Sequence, residues 1–96
     1  MSKRADATTT IRNRLGLHAR PAMAFVDAAM AFESTITVQR DEPGAMDPVD
    51  GKSIMQMMML AATKGTKLRT TAEGADAQAA CARLKALVES GFDEDR

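Results

Sequence analysis

"NRLGLHARPAM", residues 13–23, separates two kinds of periodicity. Before it, "ATTTIR" (7–12) is dense in β-branched residues and reads as a strand. After it, Ala22, Phe25, Val26 and Ala29 recur at i, i+3, i+4 and i+7, which is one face of a helix. Pro21 suits the first helical turn, where its missing N–H is no loss. A strand, a glycine-bearing loop and a helix starting near Ala19 or Arg20 place His18, the single histidine of the chain, at a helix N-terminus.

The pattern continues outward from that junction. "STITVQR" (34–40) alternates, with Ile36 and Val38 on one face, and predicts a second strand. "DEPGAM" (41–46) carries Pro43 and Gly44 at the central positions of a type II turn. A third strand near "MDPVD" (46–50) belongs at a sheet edge, because Pro48 has no N–H for a ladder. "SIMQMMMLAATKG" (53–65) predicts a short helix with Ser53 as N-cap and Gly65 just past its end. "TKLRTTA" (66–72) is a last strand with Leu68, Thr70 and Ala72 on one face. From residue 75 to 90, Ala77, Ala80, Cys81, Leu84, Leu87 and Val88 form an apolar stripe that Gly91 stops. The order is β-α-β-β-α-β-α, most economically one sheet with helices on one face, an α+β two-layer sandwich. A single domain over 1–96 is expected, ordered over about 8–91, with an N-terminal tail and, after Phe92, a frayed acidic tail "DEDR".

Composition removes several function classes. Thirteen basic and thirteen acidic residues balance, which argues against a polyanion binder held by bulk charge. An RNA-binding α+β module needs aromatics on its strands, whereas Phe25 and Phe32 fall on a helix and Phe92 in the tail, so no nucleic acid is expected. One histidine and one distant cysteine make no metal site, and neither Ser34 nor Ser53 has a hydrolase motif around it. No cofactor is expected. Cys81 reads as a small buried hydrophobe. The N-terminus has no apolar segment of a secretory signal, and no apolar run approaches the ~20 residues of a membrane span. A cytoplasmic protein without membrane insertion is expected.

His18 then poses a chemical question. A helix N-terminus presents unpaired N–H groups and the positive end of the dipole, which suits anions. Arg20 adds a cationic fork matched to phosphate oxygens, and Gly16 lets the chain turn tightly before the ring. A neutral imidazole is a nucleophile. The residues alone leave two readings open: a solvated surface histidine, or one that accepts a phosphoryl group on a ring nitrogen.

"GLHARPA" (16–22) resembles the active-site signature of the histidine-containing phosphocarrier (HPr) family of the phosphoenolpyruvate-dependent phosphotransferase system. "GKSIMQMMMLAATKGT" (51–66) resembles the serine-site helix of that family, and "AEGADAQAACARLKALV" (72–88) its C-terminal helix. The likeness runs from about Thr8 to Ser90, with the segments in the family's order. It implies an open-faced β-sandwich of four antiparallel strands, order 1-4-2-3, with three helices on one face. It also implies that His18 is phosphorylated on Nδ1, that Arg20 is the active-site arginine and that Ser53 is the regulatory serine. The partners it implies are enzyme I as donor and the IIA domains of sugar permeases as acceptors, with a serine kinase/phosphorylase where the cell has one. Such a protein is a monomeric phosphoryl carrier rather than an autonomous catalyst. One departure is a turn, "RDEPGAM" (40–46), longer than in common members.

Methionine is abundant, 8 of 96 residues, four of them in "IMQMMM". Met57 and Leu60 are expected in the core, while a short surface helix cannot bury Ile54, Met55, Met58 and Met59 as well. The resemblance places Met23, Ile54, Met55 and Met58 beside the active site as a docking patch, rimmed by Arg14, Arg20 and Lys52 for acidic partners. Ser53 is explained by capping alone, or by capping together with a phosphorylation that adds negative charge inside the patch. Ser53 and the "SIM" run favour the sugar branch; the alternative is an NPr-type carrier of the nitrogen branch.

Overall fold

Strands in which small or β-branched residues alternate with charged ones build a sheet with one dry face. The computed structural model describes residues 3–93. Along it run β1 (Arg4–Thr10), α1 (Ala19–Met30), β2 (Thr35–Arg40), β3 (Val49–Asp50), α2 (Ile54–Met58), β4 (Lys67–Glu73) and α3 (Ala77–Glu89). The sheet is antiparallel throughout, with order β1-β4-β2-β3. In register, Thr9 pairs Leu68, and Ala72 lies between Ala5 and Ile36. Ile36, Val38, Leu68, Thr70 and Ala72 are buried beneath the three helices, and Phe25, Met57 and Leu84 meet them in the core. Arg4, Asp6, Lys67, Arg69 and Glu73 alternate onto the open face. There Thr71 Oγ1 donates to Asp6 at 2.8 Å, and this bond, with Arg4 and Arg69 nearby, holds the Asp6 carboxyl below its ordinary range.

Both long helices bury the faces their periodicity marks out, from Ala22 to Ala29 and from Ala77 to Val88. The turn at Pro43–Gly44 closes with Ala45 N–H donating to the Glu42 carbonyl at 3.3 Å, Gly44 having φ +75° as type II requires. β3 lies at the edge, and Pro48 falls just outside it. Cys81 is buried, its thiol donating to the Ala5 carbonyl at 3.3 Å, and burial pushes the thiol up. No helix among the described residues is long and apolar enough to cross a membrane.

Three elements depart from expectation. β1 begins at Arg4 rather than residue 7, because its ladder with β4 runs unbroken from Glu73 to Lys67. α2 stops at Met58 instead of running towards Gly65. The N–H groups of Leu60 and Ala61 close tighter i→i−3 bonds, and Ala61 turns to φ +48°. Phe92 is buried rather than lying in a tail. Gly91, at φ +71°, donates to Val88, and Phe92 N–H reaches back to the Leu87 carbonyl, a Schellman cap that folds the ring inward. The rest of the acidic tail, 94–96, lies outside the described residues, as do residues 1 and 2.

Candidate functional site

The loop between β1 and α1 is tied down by hydrogen bonds at Ile11, Asn13, Gly16, Leu17 and His18. Asn13, fully buried, donates from Nδ2 to the Gly16 carbonyl at 2.6 Å, while Gly16 N–H donates to the Asn13 carbonyl at 3.1 Å. Those two bonds close a turn whose tip, Arg14 and Leu15, is exposed. Gly16 has φ +69°, and a Cβ there would stand 2.5 Å from the Ala62 carbonyl oxygen, so conformation and contact both demand glycine. Leu17 N–H donates to that carbonyl at 2.8 Å.

His18 follows as the N-cap of α1, extended at φ −82° and ψ −173°. Its N–H donates to the Gly16 carbonyl and its carbonyl accepts from Ala22 N–H, both at 3.0 Å. Leu17 on one side and Pro21 and Ala22 on the other are buried, so a half-buried His18 is carried on a backbone anchored in the core. The side chain does not cap the helix. In the first turn Ala19 and Arg20 carry N–H groups with no intrahelical acceptor, and no acidic residue is present there. With the exposed Arg20 guanidinium two residues on, this end of a 12-residue helix favours a dianionic group. An imidazole is a nucleophile with the chemistry to attack phosphorus, and backbone N–H groups and a guanidinium are the donors that suit phosphoryl oxygens.

α2 packs beside α1 and runs back along it. Two bonds fix that direction: Ala62 is tied to Leu17 before α1, and Lys52 Nζ donates to the Phe32 carbonyl at 2.7 Å beyond its end. The chain from Lys52 to Ala62 therefore runs antiparallel to α1, with Ser53 at the start of α2 and Ala62, beyond its end, against the His18 loop. It caps α2, Oγ accepting from Gln56 N–H at 3.2 Å, while Gln56 Oε1 accepts from Asp50 N–H at 2.9 Å. Met57 is fully buried and Leu60 nearly so, whereas Met55 is 80% exposed. Ile54, Met58, Met59 and, on α1, Met23 are also exposed, so apolar surface covers the outer side of this helix pair.

The structure thus brings His18, Arg20 and the exposed methionines onto the α1–α2 side of the molecule, and draws the Lys52 ammonium away to the end of α1. Residues not singled out from sequence complete the site. Asn13 and Ala62 hold the loop, and Leu15 adds exposed apolar surface next to it. The Asn-x-x-Gly spacing is the one local sign of Asn13's turn; nothing local marks Ala62. Among the described residues no three His, Cys, Asp or Glu side chains gather as metal ligands.

A family model described as PTS HPr component phosphorylation site matches residues 5–90. Phosphocarrier protein NPr of Proteus mirabilis is 44% identical over 85 residues, covering 88% of this chain and 91% of that protein. Phosphocarrier protein HPr of Pseudomonas aeruginosa is 46% identical with the same coverage of both. The crystal structure of HPr-C-His from Thermoanaerobacter tengcongensis superposes with a TM-score of 0.86 at 40% identity, covering 96% of this chain and 99% of that one.

Proposed function

The chain belongs to the HPr family of phosphocarriers of the phosphotransferase system, and on that premise we propose that it relays a phosphoryl group through Nδ1 of His18. Phospho-enzyme I is the donor. The lone pair of Nδ1 attacks phosphorus, the donor P–N bond breaks, and its electron pair stays on the donor nitrogen. Arg20 and the first-turn N–H groups take up the charge on the transferred oxygens. The IIA domains of sugar permeases remove the group by the same displacement in reverse. The carrier works as a monomer in the cytoplasm.

What carries this reading is the position of His18: a helix N-cap between buried neighbours, beside an exposed guanidinium. Partners dock over Met23, Ile54, Met55 and Met58, with Arg14 and Arg20 as the cationic rim. Lys52 joins that rim only when its bond to the Phe32 carbonyl opens. His18→Ala is expected to fold normally and to accept no phosphate. Incubation with phosphoenolpyruvate and purified enzyme I, followed by mass detection of an acid-labile phosphate, tests it. Undiminished labelling of the variant would end the phosphocarrier reading.

A second reading, an NPr-type carrier of the nitrogen branch, has support in the near-equal identity to an NPr and an HPr. Ser53, poised as an N-cap beside exposed Ile54 and Met55, favours the sugar branch, where a serine kinase/phosphorylase would act on it. Comparing phosphoryl acceptance from enzyme I of each branch separates the two.

A further inference from the structure

Resting on the phosphocarrier reading, we propose that Arg40 is a positioning residue for His18, acting through the segment Leu60–Ala62. Arg40 ends β2, far from His18 in sequence, and its half-buried guanidinium reaches across to the end of α2. Nη1 donates to the carbonyls of both Leu60 and Ala61, at 3.1 and 3.2 Å. Both carbonyls lie just past the end of α2, outside its own hydrogen-bond ladder, and a cation there also meets the negative end of the dipole.

The next carbonyl serves the other side. Ala62 accepts from Leu17 N–H at 2.8 Å and stands against Gly16, where Thr63 also approaches within 2.8 Å of a would-be Cβ. Gly16 in turn accepts from His18 N–H. Three consecutive carbonyls are thus divided between one guanidinium and the active-site loop. Ala61 between them is held at φ +48°, a conformation alanine rarely adopts unless its neighbours enforce it. Arg40 supplies that enforcement.

The long turn after β2 gains a purpose from this arrangement. Glu42 Oε1 accepts from Arg40 Nε, and the Glu42 backbone is fixed by its own N–H donating to the Arg40 carbonyl at 3.1 Å. With Nε taken by the carboxylate, the planar guanidinium has Nη1 aimed at the two carbonyls. The turn therefore orients the arginine that braces the site.

Arg40→Met and Arg40→Lys test the proposal by two readouts. Native-state hydrogen exchange follows the Leu17 amide and, as a gauge of global stability, the Thr70 amide in the central strand β4. In Arg40→Met, Leu17 should exchange about tenfold faster relative to Thr70, since only the local brace is lost. Phosphoryl acceptance from enzyme I should fall about tenfold in kcat with little change in KM, because a displaced ring costs reaction geometry before it costs docking. Lysine keeps the charge without the fork and should restore both in part. Leu17 and Thr70 accelerating by the same factor would make Arg40 a general stabiliser and overturn the proposal. Unchanged kcat would overturn it equally, even with faster Leu17 exchange. Failure of the wild-type protein to accept phosphate would instead sink the phosphocarrier reading itself.

Discussion

Gly16 and Ala62 approach so closely that a Cβ on residue 16 would stand 2.5 Å from the Ala62 carbonyl oxygen. The obstruction is backbone, including the Thr63 Cα at 2.8 Å, and cannot rotate aside. Gly44 offers an internal comparison: its φ of +75° nearly equals the +69° of Gly16, yet nothing lies within 4 Å of its would-be Cβ. Gly44→Ala should cost only left-handed strain, about 1 kcal/mol. Gly16→Ala adds overpacking and should cost about 3 kcal/mol. Urea melts of both variants measure the difference, and Gly16→Ala should also slow phosphoryl acceptance while Gly44→Ala does not. Equal melts would mean that the loop can move off Ala62.

Met55 and Met57, two residues apart on α2, are expected to answer opposite tests. Met57 is fully buried, so Met57→Gln places an amide in the core and should cost about 2 kcal/mol. Met55 is 80% exposed near the helix N-terminus, where Met55→Glu should change stability by less than about 0.5 kcal/mol. Binding to enzyme I should reverse the order, with Met55→Glu the weaker binder after correction for stability. Wild-type affinity in Met55→Glu would remove Met55 from the docking face.

Asp76 ties the start of α3 to the loop after α1. Its carboxylate accepts from the Ser34 hydroxyl at 2.5 Å, from Glu33 N–H at 2.9 Å and from Ser34 N–H at 3.0 Å. The Ser34 hydroxyl first, then the Glu33 amide, hold the carboxyl below its ordinary value of 3.8. A folded value below the unfolded one contributes stability above the unfolded value, and that contribution is lost as pH falls through the folded value. The stability gap between wild type and Asp76→Asn should therefore be constant above about pH 5 and close in acid below it. Asp6 is depressed in the same direction, so only the gap between the two proteins, not the acid unfolding of either, reports on Asp76. A gap that stays constant into acid would show that the carboxylate is not the source.

Which parts of this fold can be read from sequence follows from how far each determinant reaches. α1 and α3 are legible because helical periodicity repeats over three turns, and the edge position of β3 because Pro48 removes one donor. The end of α2 is not legible. Ala61 and Ala62 have the highest helix propensity, yet the carbonyls of Leu60 to Ala62 are taken by Arg40 and Leu17, twenty and forty-five residues back in the chain, which no local pattern shows. Phe92 misleads for a related reason: Gly91 signals a helix end, but only the Schellman bond to Leu87 shows that the chain turns inward after it. Within the site, His18 and Arg20 share one local motif and could be placed together. The Lys52 ammonium could not, because its acceptor, the Phe32 carbonyl, lies twenty residues back in the loop after α1.

Ser53→Asp separates docking from chemistry. A carboxylate is also a good N-cap and could accept from Gln56 N–H as Ser53 Oγ does, so stability should remain near wild type. Ser53 belongs to the start of α2 and not to the loop and first turn that carry His18 and Arg20, so those two residues should keep their geometry. Its neighbours Ile54 and Met55 are exposed, however, and a charge beside them must be desolvated when an acidic partner covers that surface. Like-charge repulsion opposes the same step. Acceptance from enzyme I should therefore show a KM raised about tenfold with kcat nearly unchanged, a loss of about 1.4 kcal/mol in docking. Raising the salt concentration should recover part of it, since screening weakens repulsion but not desolvation. Kinetics at two ionic strengths decide the matter. A fall in kcat would mean that the charge is felt at His18 itself, and a wild-type KM at low salt would leave Ser53 as a cap and nothing more.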